Sequence, residues 1–177
     1  MGRMLTTLAV AGYRSLRDVI VPLGPLTVIT GPNGSGKSNL YRALALLGSA
    51  GRGDVVGTLA REGGLPSVLW AGPEDGDGGV GTVRRTPIAV QLGFASDELG
   101  YLVDLGIPQT SQDSVFARDP EIKREQIFAG PLAKPSTLLI DRLRAQTRVR
   151  DGGWVSLDQK LAPFESIITD LADGDTA

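Results

Sequence analysis

Two residue types are missing from this 177-residue chain, which contains no cysteine and no histidine. Without cysteine there can be no disulfides and no thiolate metal sites. Without histidine the chain lacks the commonest metal ligand and the commonest general base. Any chemistry must therefore use carboxylates, lysine, arginine, hydroxyls, backbone amides or a metal that arrives with a ligand.

The chain also has little net charge and no long apolar run. Its net charge of −2 provides no general attraction to nucleic acid. No apolar stretch approaches the roughly 18 residues that span a membrane, and the N-terminus lacks the pattern of a signal peptide. A hydrophobic fraction of 41% and a charged fraction of 21% are typical of a globular domain. We therefore expect one cytoplasmic domain covering residues 1–177, with no membrane partner.

The most informative segment is residues 31–38, which read GPNGSGKS and fit the pattern G-x-x-x-x-G-K-[ST]. Its glycines let backbone amides point at phosphate oxygens. Lys37 is a cation that can reach the β- and γ-phosphates, and the Ser38 hydroxyl is a ligand for Mg²⁺. The apolar run at 26–30 predicts a buried strand before the loop, and the apolar spacing at 38–47 predicts a helix after it.

The sequence thus predicts a site for ATP and Mg²⁺ in this loop and its flanks. Ser38 is the predicted metal ligand. The residues predicted to contact the nucleotide from this segment are Asn33, Gly34, Ser35, Gly36, Lys37, Ser38 and Asn39.

The rest of the chain reads as strands more than as helices. Strand patterns occur at 5–11 and 16–23, a short second helix is predicted at 55–61, and the turn-rich, acidic stretch 66–81 is predicted to be a solvated loop. Several later segments alternate apolar and polar residues, which favours antiparallel strands with one solvated face. These later segments are residues 83–94, 100–105, 124–128, 137–148 and 153–157. The predicted fold is α/β, with a mixed, largely antiparallel sheet and one main helix after the P-loop.

The stretch Tyr-Arg-Ser-Leu at 13–16, followed by GPNGSGKSNLYRAL, resembles the opening of the SMC/RecF-like ABC ATPases. Within that group the chain is most similar to predicted bacterial ATPases of the RecF/AAA-like type. Residues 5–47 carry the resemblance. It implies that the chain is the N-terminal lobe of an ABC-type ATPase head, and that Arg14 and Ser15 also contact the nucleotide. It further implies a homodimer formed through the ATP site of the full-length protein, and DNA as a partner.

Parts of a hydrolytic site are missing from the sequence. A Walker B strand ends in Asp, usually followed by Glu, and the closest stretches, 137–141, 166–170 and 101–104, have no Glu after the Asp. In the family pattern, the signature, Walker B and switch segments lie in a C-terminal lobe. The resemblance therefore implies that hydrolysis requires that lobe and that these residues are inactive alone. Gln159 and Glu165 are candidates for the Q-loop position at the lobe junction.

Two other interpretations remain open. One is a self-contained small P-loop NTPase or kinase in which Asp141 is the metal carboxylate. The other is a non-enzymatic scaffold whose P-loop holds nucleotide for stability. A kinase should show helices alternating with strands, and few helical patterns follow residue 61, which favours the nucleotide-binding lobe. An apolar strand that ends in Asp at a turn is common, so Asp141 also fits a structural role.

Overall fold

The computed structural model describes residues 4–70, 89–107, 120–158 and 161–169. Within these residues the chain forms one eight-stranded sheet with three helices, and the strand order is β2-β1-β3-β4-β5-β6-β7-β8. The strands are β1 Leu5–Tyr13, β2 Leu16–Pro22, β3 Ala89–Ser96, β4 Leu99–Gly106, β5 Glu121–Ala129, β6 Leu138–Leu143, β7 Gln146–Asp151 and β8 Gly153–Leu157. The helices are α1 Lys37–Ala50, α2 Val55–Arg61 and α3 Leu65–Val68. None of these helices is long and apolar enough to cross a membrane.

The pairs of neighbouring strands in the sheet are antiparallel. The predicted antiparallel character is therefore confirmed, and no parallel pair occurs within the described ranges. Tight turns connect β1 to β2, β3 to β4, β6 to β7 and β7 to β8, and such short connections can only join antiparallel neighbours. At two of these turns, Arg144 and Gly152 adopt left-handed conformations with φ of 57° and 64°. The turn at Arg144 divides the segment predicted as one extended stretch, 137–148, into β6 and β7.

The core lies between one face of the sheet, here called the helix face, and the three helices. On this face, Leu8 of β1, Leu92 of β3 and Val103 of β4 are almost fully buried. They belong to one apolar cluster with residues of α1 such as Ala43 and Leu46. Side chains alternate between the two faces along each strand, so the intervening residues lie on the opposite face, here called the open face.

The segment before the glycine loop differs from its prediction. Residues 26–30 form no strand, and Leu26 and Val28 are 84% and 73% exposed. In the part of the chain that the structure describes, no strand pairs with this segment. An apolar, β-branched run predicts a strand only when a neighbouring backbone completes its hydrogen bonds.

The predicted helices are confirmed, and one further helix was not predicted. The predicted range 55–61 is the range of α2, and α1 extends beyond both ends of the predicted range 38–47. The prediction of a solvated loop from residue 66 is wrong at its start, because α3 lies there and buries Leu65 and Val68. Residues 71–81 of that predicted loop lie outside the described residues.

Candidate functional site

The glycine loop, residues 31–36, leads directly into α1 and is open to solvent. Gly34 and Gly36 have φ of 83° and 93°, in the left-handed region that glycine adopts readily. A Cβ atom at Gly36 would lie 2.9 Å from the Ser15 hydroxyl, so this position also needs glycine for space. Residues 31–35 are exposed, as the prediction of a ligand-binding loop requires, and this stretch includes Asn33 and Ser35.

The N-terminus of α1 lies at the end of this loop without a side-chain cap. Gly36 occupies the cap position, no side-chain hydrogen bond caps the helix, and its first turn contains no acidic residue. The first amides of a helix have no intrahelical acceptor and carry partial positive charge. The loop and the helix end together form a site that suits an anion such as phosphate.

Lys37 places its ammonium group across the glycine loop. Its Nζ donates to the carbonyl oxygens of Gly31 and Pro32 at 2.6 and 2.7 Å, and lies 3.4 Å from Ser35 Oγ. These acceptors are neutral. A phosphate oxygen is a stronger partner for an ammonium group, because charge-assisted hydrogen bonds are roughly twice as strong as neutral ones. The cation is therefore positioned where an incoming phosphate can replace its carbonyl partners.

Ser38, Asn39 and Ser15 lie together beside the loop. The Ser38 side chain is exposed on the first turn of α1, next to Lys37. The Asn39 Nδ2 donates to Ser15 Oγ at 2.9 Å, which attaches the β1–β2 turn to α1. A hydroxyl beside a phosphate cradle has the chemistry of a Mg²⁺ ligand, so the residues present fit the predicted Mg²⁺–nucleotide complex.

Arg14 is held by Glu62, a residue that sequence reasoning did not single out. The Arg14 Nη2 donates to Glu62 Oε2 at 2.7 Å, and the Tyr13 hydroxyl donates to the same oxygen at 2.9 Å. The hydrogen bond to Glu62 raises the pKa of the Arg14 guanidinium. Arg14 also has a positive φ of 50°, and its Nε is buried without a hydrogen-bond partner. The guanidinium is therefore directed toward the end of α2, and nucleotide contact by Arg14 stays a prediction.

Asp141 lies on the open face of the sheet, away from α1 and the glycine loop. Its carboxylate accepts hydrogen bonds from Gln126 Nε2 at 2.8 Å, Arg148 Nη2 at 2.6 Å and Arg124 Nε at 3.3 Å. Burial acts to raise the pKa of Asp141, but the hydrogen bonds from Arg148 and Gln126 and the nearby arginine charges outweigh it and lower the pKa. The structure thus supports the structural role for Asp141. Within the described ranges no group of three or more acidic residues could hold a metal ion.

Arg142 follows Asp141 at the position where a Walker B strand would have Glu. It is fully buried on the helix face. Its guanidinium pairs with Glu125 at 3.2 Å and donates to the carbonyl oxygens of Ala162, at 2.7 Å, and Glu165. Arg142 therefore fastens the segment 161–169 to the sheet. The Glu165 carboxylate accepts the amide of Ala162 at 2.7 Å, and Gln159 lies outside the described residues.

Comparison with known families identifies the class of this domain. The family model described as "AAA domain, putative AbiEii toxin, Type IV TA system" matches residues 26–166, which is most of the chain. The chain therefore belongs to this family of AAA-type ATPase domains. The match includes the glycine loop and α1, and it continues through strands β3 to β8 to the segment that Arg142 fastens, whereas β1 and β2 precede it.

A shorter similarity connects the chain to a protein named as a nuclease. It is 52% identical over 44 residues to the OLD nuclease of Thermus scotoductus. The match covers 25% of this chain and 8% of that protein, so the chain spans only a small fraction of the relative's length. The match therefore does not assign the activity of that whole protein to this chain.

Proposed function

We propose that this chain binds ATP with Mg²⁺ through residues 31–39, and that it is the nucleotide-binding lobe of an SMC/RecF-like ATPase. The geometry of the glycine loop carries this proposal. Left-handed glycines, an uncapped helix N-terminus and the bridging Lys37 all converge on one exposed site. Each of these features favours an anion, and together they suit a polyanion such as a triphosphate.

Each residue has a separate role in the proposed complex. The amides of the loop and of the first turn of α1 donate to phosphate oxygens, and Lys37 neutralises charge at the β- and γ-phosphates. The Ser38 hydroxyl would hold a Mg²⁺ ion, which would supply positive charge against the charge of the phosphates. Ser15 and Asn39 support the loop through their hydrogen bond, and Arg14 reaches the nucleotide by leaving Glu62.

Hydrolysis, in this proposal, needs protein beyond the described residues. Phosphoryl transfer requires a positioned metal, a positioned water and stabilisation of the transferred charge. Asp141 is on the open face and Glu62 is engaged by Tyr13 and Arg14. We therefore assign the hydrolytic groups to a C-terminal lobe and to a second subunit that binds across the ATP site, and we expect this lobe to be inactive alone.

Exposed apolar side chains beside the loop support the proposal that a further lobe packs there. Leu26, Val28 and Ile29, next to the loop, are 84%, 73% and 47% exposed, and Tyr41 on α1 is 75% exposed. Contiguous exposed apolar side chains usually mark an interaction surface. A strand supplied by the further lobe would pair with residues 26–30 and complete the buried strand that the sequence predicts there.

We also propose that the whole protein has DNA as a partner and is located in the cytoplasm. Support for DNA comes from the resemblance to SMC/RecF-like ATPases and from the 44-residue similarity to a protein named as a nuclease. The competing small-enzyme function has less support, because the position of Asp141 separates it from the phosphate cradle.

Isothermal titration calorimetry with ATP, in the presence and absence of Mg²⁺, tests the proposal, together with a phosphate-release assay on the same protein. We expect saturable binding that is tighter with Mg²⁺, and no phosphate release above the buffer rate. Absence of binding under both conditions would overturn the assignment of the loop. Sustained turnover by this chain alone would overturn the need for a further lobe.

A further inference from the structure

Trp70 and Arg17 are in contact at the end of the sheet nearest the glycine loop. The Arg17 Cζ lies 5.3 Å from the centroid of the Trp70 ring, which is within the range of a cation–π contact. Arg17 is exposed and Trp70 is half-buried. An indole and a guanidinium, both partly open to solvent, thus lie side by side. The stretch from residue 66 onward read as a solvated loop in the sequence, and no role was predicted for Trp70.

Backbone hydrogen bonds fix the position of Trp70. The Trp70 amide donates to the carbonyl of Gly12 at 2.8 Å, and the Arg14 amide donates to the carbonyl of Val68 at 2.7 Å. Between them, Tyr13 and Leu69 form an isolated antiparallel bridge. The chain leaving α3 is therefore attached along the end of β1, and Trp70 is held beside the β1–β2 turn.

The same turn contacts the glycine loop through Ser15. The Ser15 hydroxyl accepts the Asn39 side chain at 2.9 Å and leaves no room for a side chain at Gly36. Leu16 is buried, whereas Ser15 and Arg17 on either side of it are exposed. Two residues of extended chain span about 7 Å. The main chain at Arg17 therefore lies within about one such step of the main chain at Ser15, the residue that contacts the loop.

We propose that the Trp70–Arg17 pair is the platform for the base of the nucleotide whose phosphates occupy the glycine loop. This inference rests on the proposed function. Aromatic rings and guanidinium planes stack on nucleobases, and such stacking requires no match of donors and acceptors. The platform therefore favours the larger purine rings over pyrimidines and discriminates weakly between adenine and guanine. Selection between ATP and GTP has to come from other contacts.

The two tryptophans allow a direct optical test. Trp154, the second tryptophan of the chain, lies on β8 and contacts Arg148 and Arg150. In the Trp154→Phe variant, Trp70 is the sole indole. We expect Mg-ATP and Mg-GTP to change its fluorescence and tripolyphosphate, which has phosphates but no base, to leave it largely unchanged. Equal responses to ATP and tripolyphosphate, or no response to bound ATP, would contradict the platform.

An affinity comparison provides an independent test by titration calorimetry. Trp70→Ala should weaken ATP binding about tenfold, a loss typical of base stacking, and leave tripolyphosphate binding unchanged. Trp70→Phe should keep most of the ATP affinity, and the control Trp154→Ala should keep all of it. Equal weakening for both ligands, or no weakening of ATP binding, would overturn the platform while leaving the phosphate site intact. A parent protein that binds neither ligand would overturn the proposed function and the platform together.

Discussion

The Asn39 side chain donates a 2.9 Å hydrogen bond to the Ser15 hydroxyl, which joins the first turn of α1 to the β1–β2 turn. The same hydroxyl approaches Gly36, the last residue of the glycine loop. Two segments distant in sequence therefore meet at the point where the loop becomes a helix. Through this contact the Arg14–Ser15 turn is connected to the phosphate site, whether or not Arg14 and Ser15 themselves contact the nucleotide.

Removing this connection should weaken nucleotide binding moderately. Ser15→Ala deletes the acceptor of Asn39, and a hydrogen bond of this kind contributes about 1 kcal/mol, so we expect the dissociation constant for Mg-ATP to rise about fivefold. Ser156→Ala, in the exposed strand β8, is a matched control and should change nothing. Titration calorimetry on the two variants measures the difference. Equal affinities for both would show that the turn does not support the loop.

The buried Arg142–Glu125 pair should dominate the stability of the β5–β6 region. Both side chains are fully buried, so Arg142→Met leaves the Glu125 carboxylate without its cation. We expect the free energy of unfolding to fall by about 3–5 kcal/mol in urea denaturation. Arg61→Ala breaks a pair with Asp54 that is mostly exposed and should cost less than about 1 kcal/mol. Similar losses in the two variants would contradict the structural role assigned to Arg142.

Asp141 should contribute stability that is lost in acid. Its pKa is lowered in the folded protein, so its contribution is present above the pKa of the unfolded chain and disappears as the pH falls through the folded value. Asp141→Asn should therefore be less stable than the parent at neutral pH, and the difference should shrink below about pH 4. Urea denaturation at a series of pH values checks this.

Asp104 is a useful control for that experiment, because its pKa is shifted in the opposite direction. Burial raises the pKa of Asp104, so the charged carboxylate opposes folding. The cost begins as the pH rises past the pKa of the unfolded chain and is complete above the raised folded value. Asp104→Asn should therefore remove the part of the stability loss that the parent shows as the pH rises from the unfolded pKa of Asp104 to its raised folded pKa. A stability difference between Asp141→Asn and the parent that does not depend on pH would contradict the ion-pair account of Asp141.

Local pattern predicted most of the regular structure. The ranges of α2 and β8 follow from the sequence because apolar spacing and flanking glycines define them over a few residues. The phosphate cradle was predictable for the same reason, since its glycines, Lys37 and Ser38 are consecutive. The division of 137–148 into two strands was not predictable, because it depends on Arg144 adopting a left-handed conformation that rarely suits a side chain.

Features that depend on distant partners could not be predicted. Arg142 stands directly after Asp141, where a Walker B strand would have Glu, and the sequence predicts no role for it. It is buried because Glu125 and the carbonyls of 162 and 165 surround it. The apolar run at 26–30 is exposed because, among the described residues, no strand pairs with it. The positions of Glu62 and Trp70 depend on how α2 and α3 pack against the β1–β2 turn, which the local sequence does not show.

Nucleotide-dependent stabilisation of the Lys37→Ala variant tests the central claim most directly. A ligand that binds only the folded state stabilises it by about 2.7 kcal/mol at a hundred times its dissociation constant, so Mg-ATP should raise the melting temperature of the parent by several degrees. Lys37→Ala removes the cation from the cradle and should lose most of that shift. Lys134→Ala, which removes an exposed lysine from the turn before β6, should keep it. If Lys37→Ala responds to Mg-ATP as the parent does, the glycine loop is not the nucleotide site.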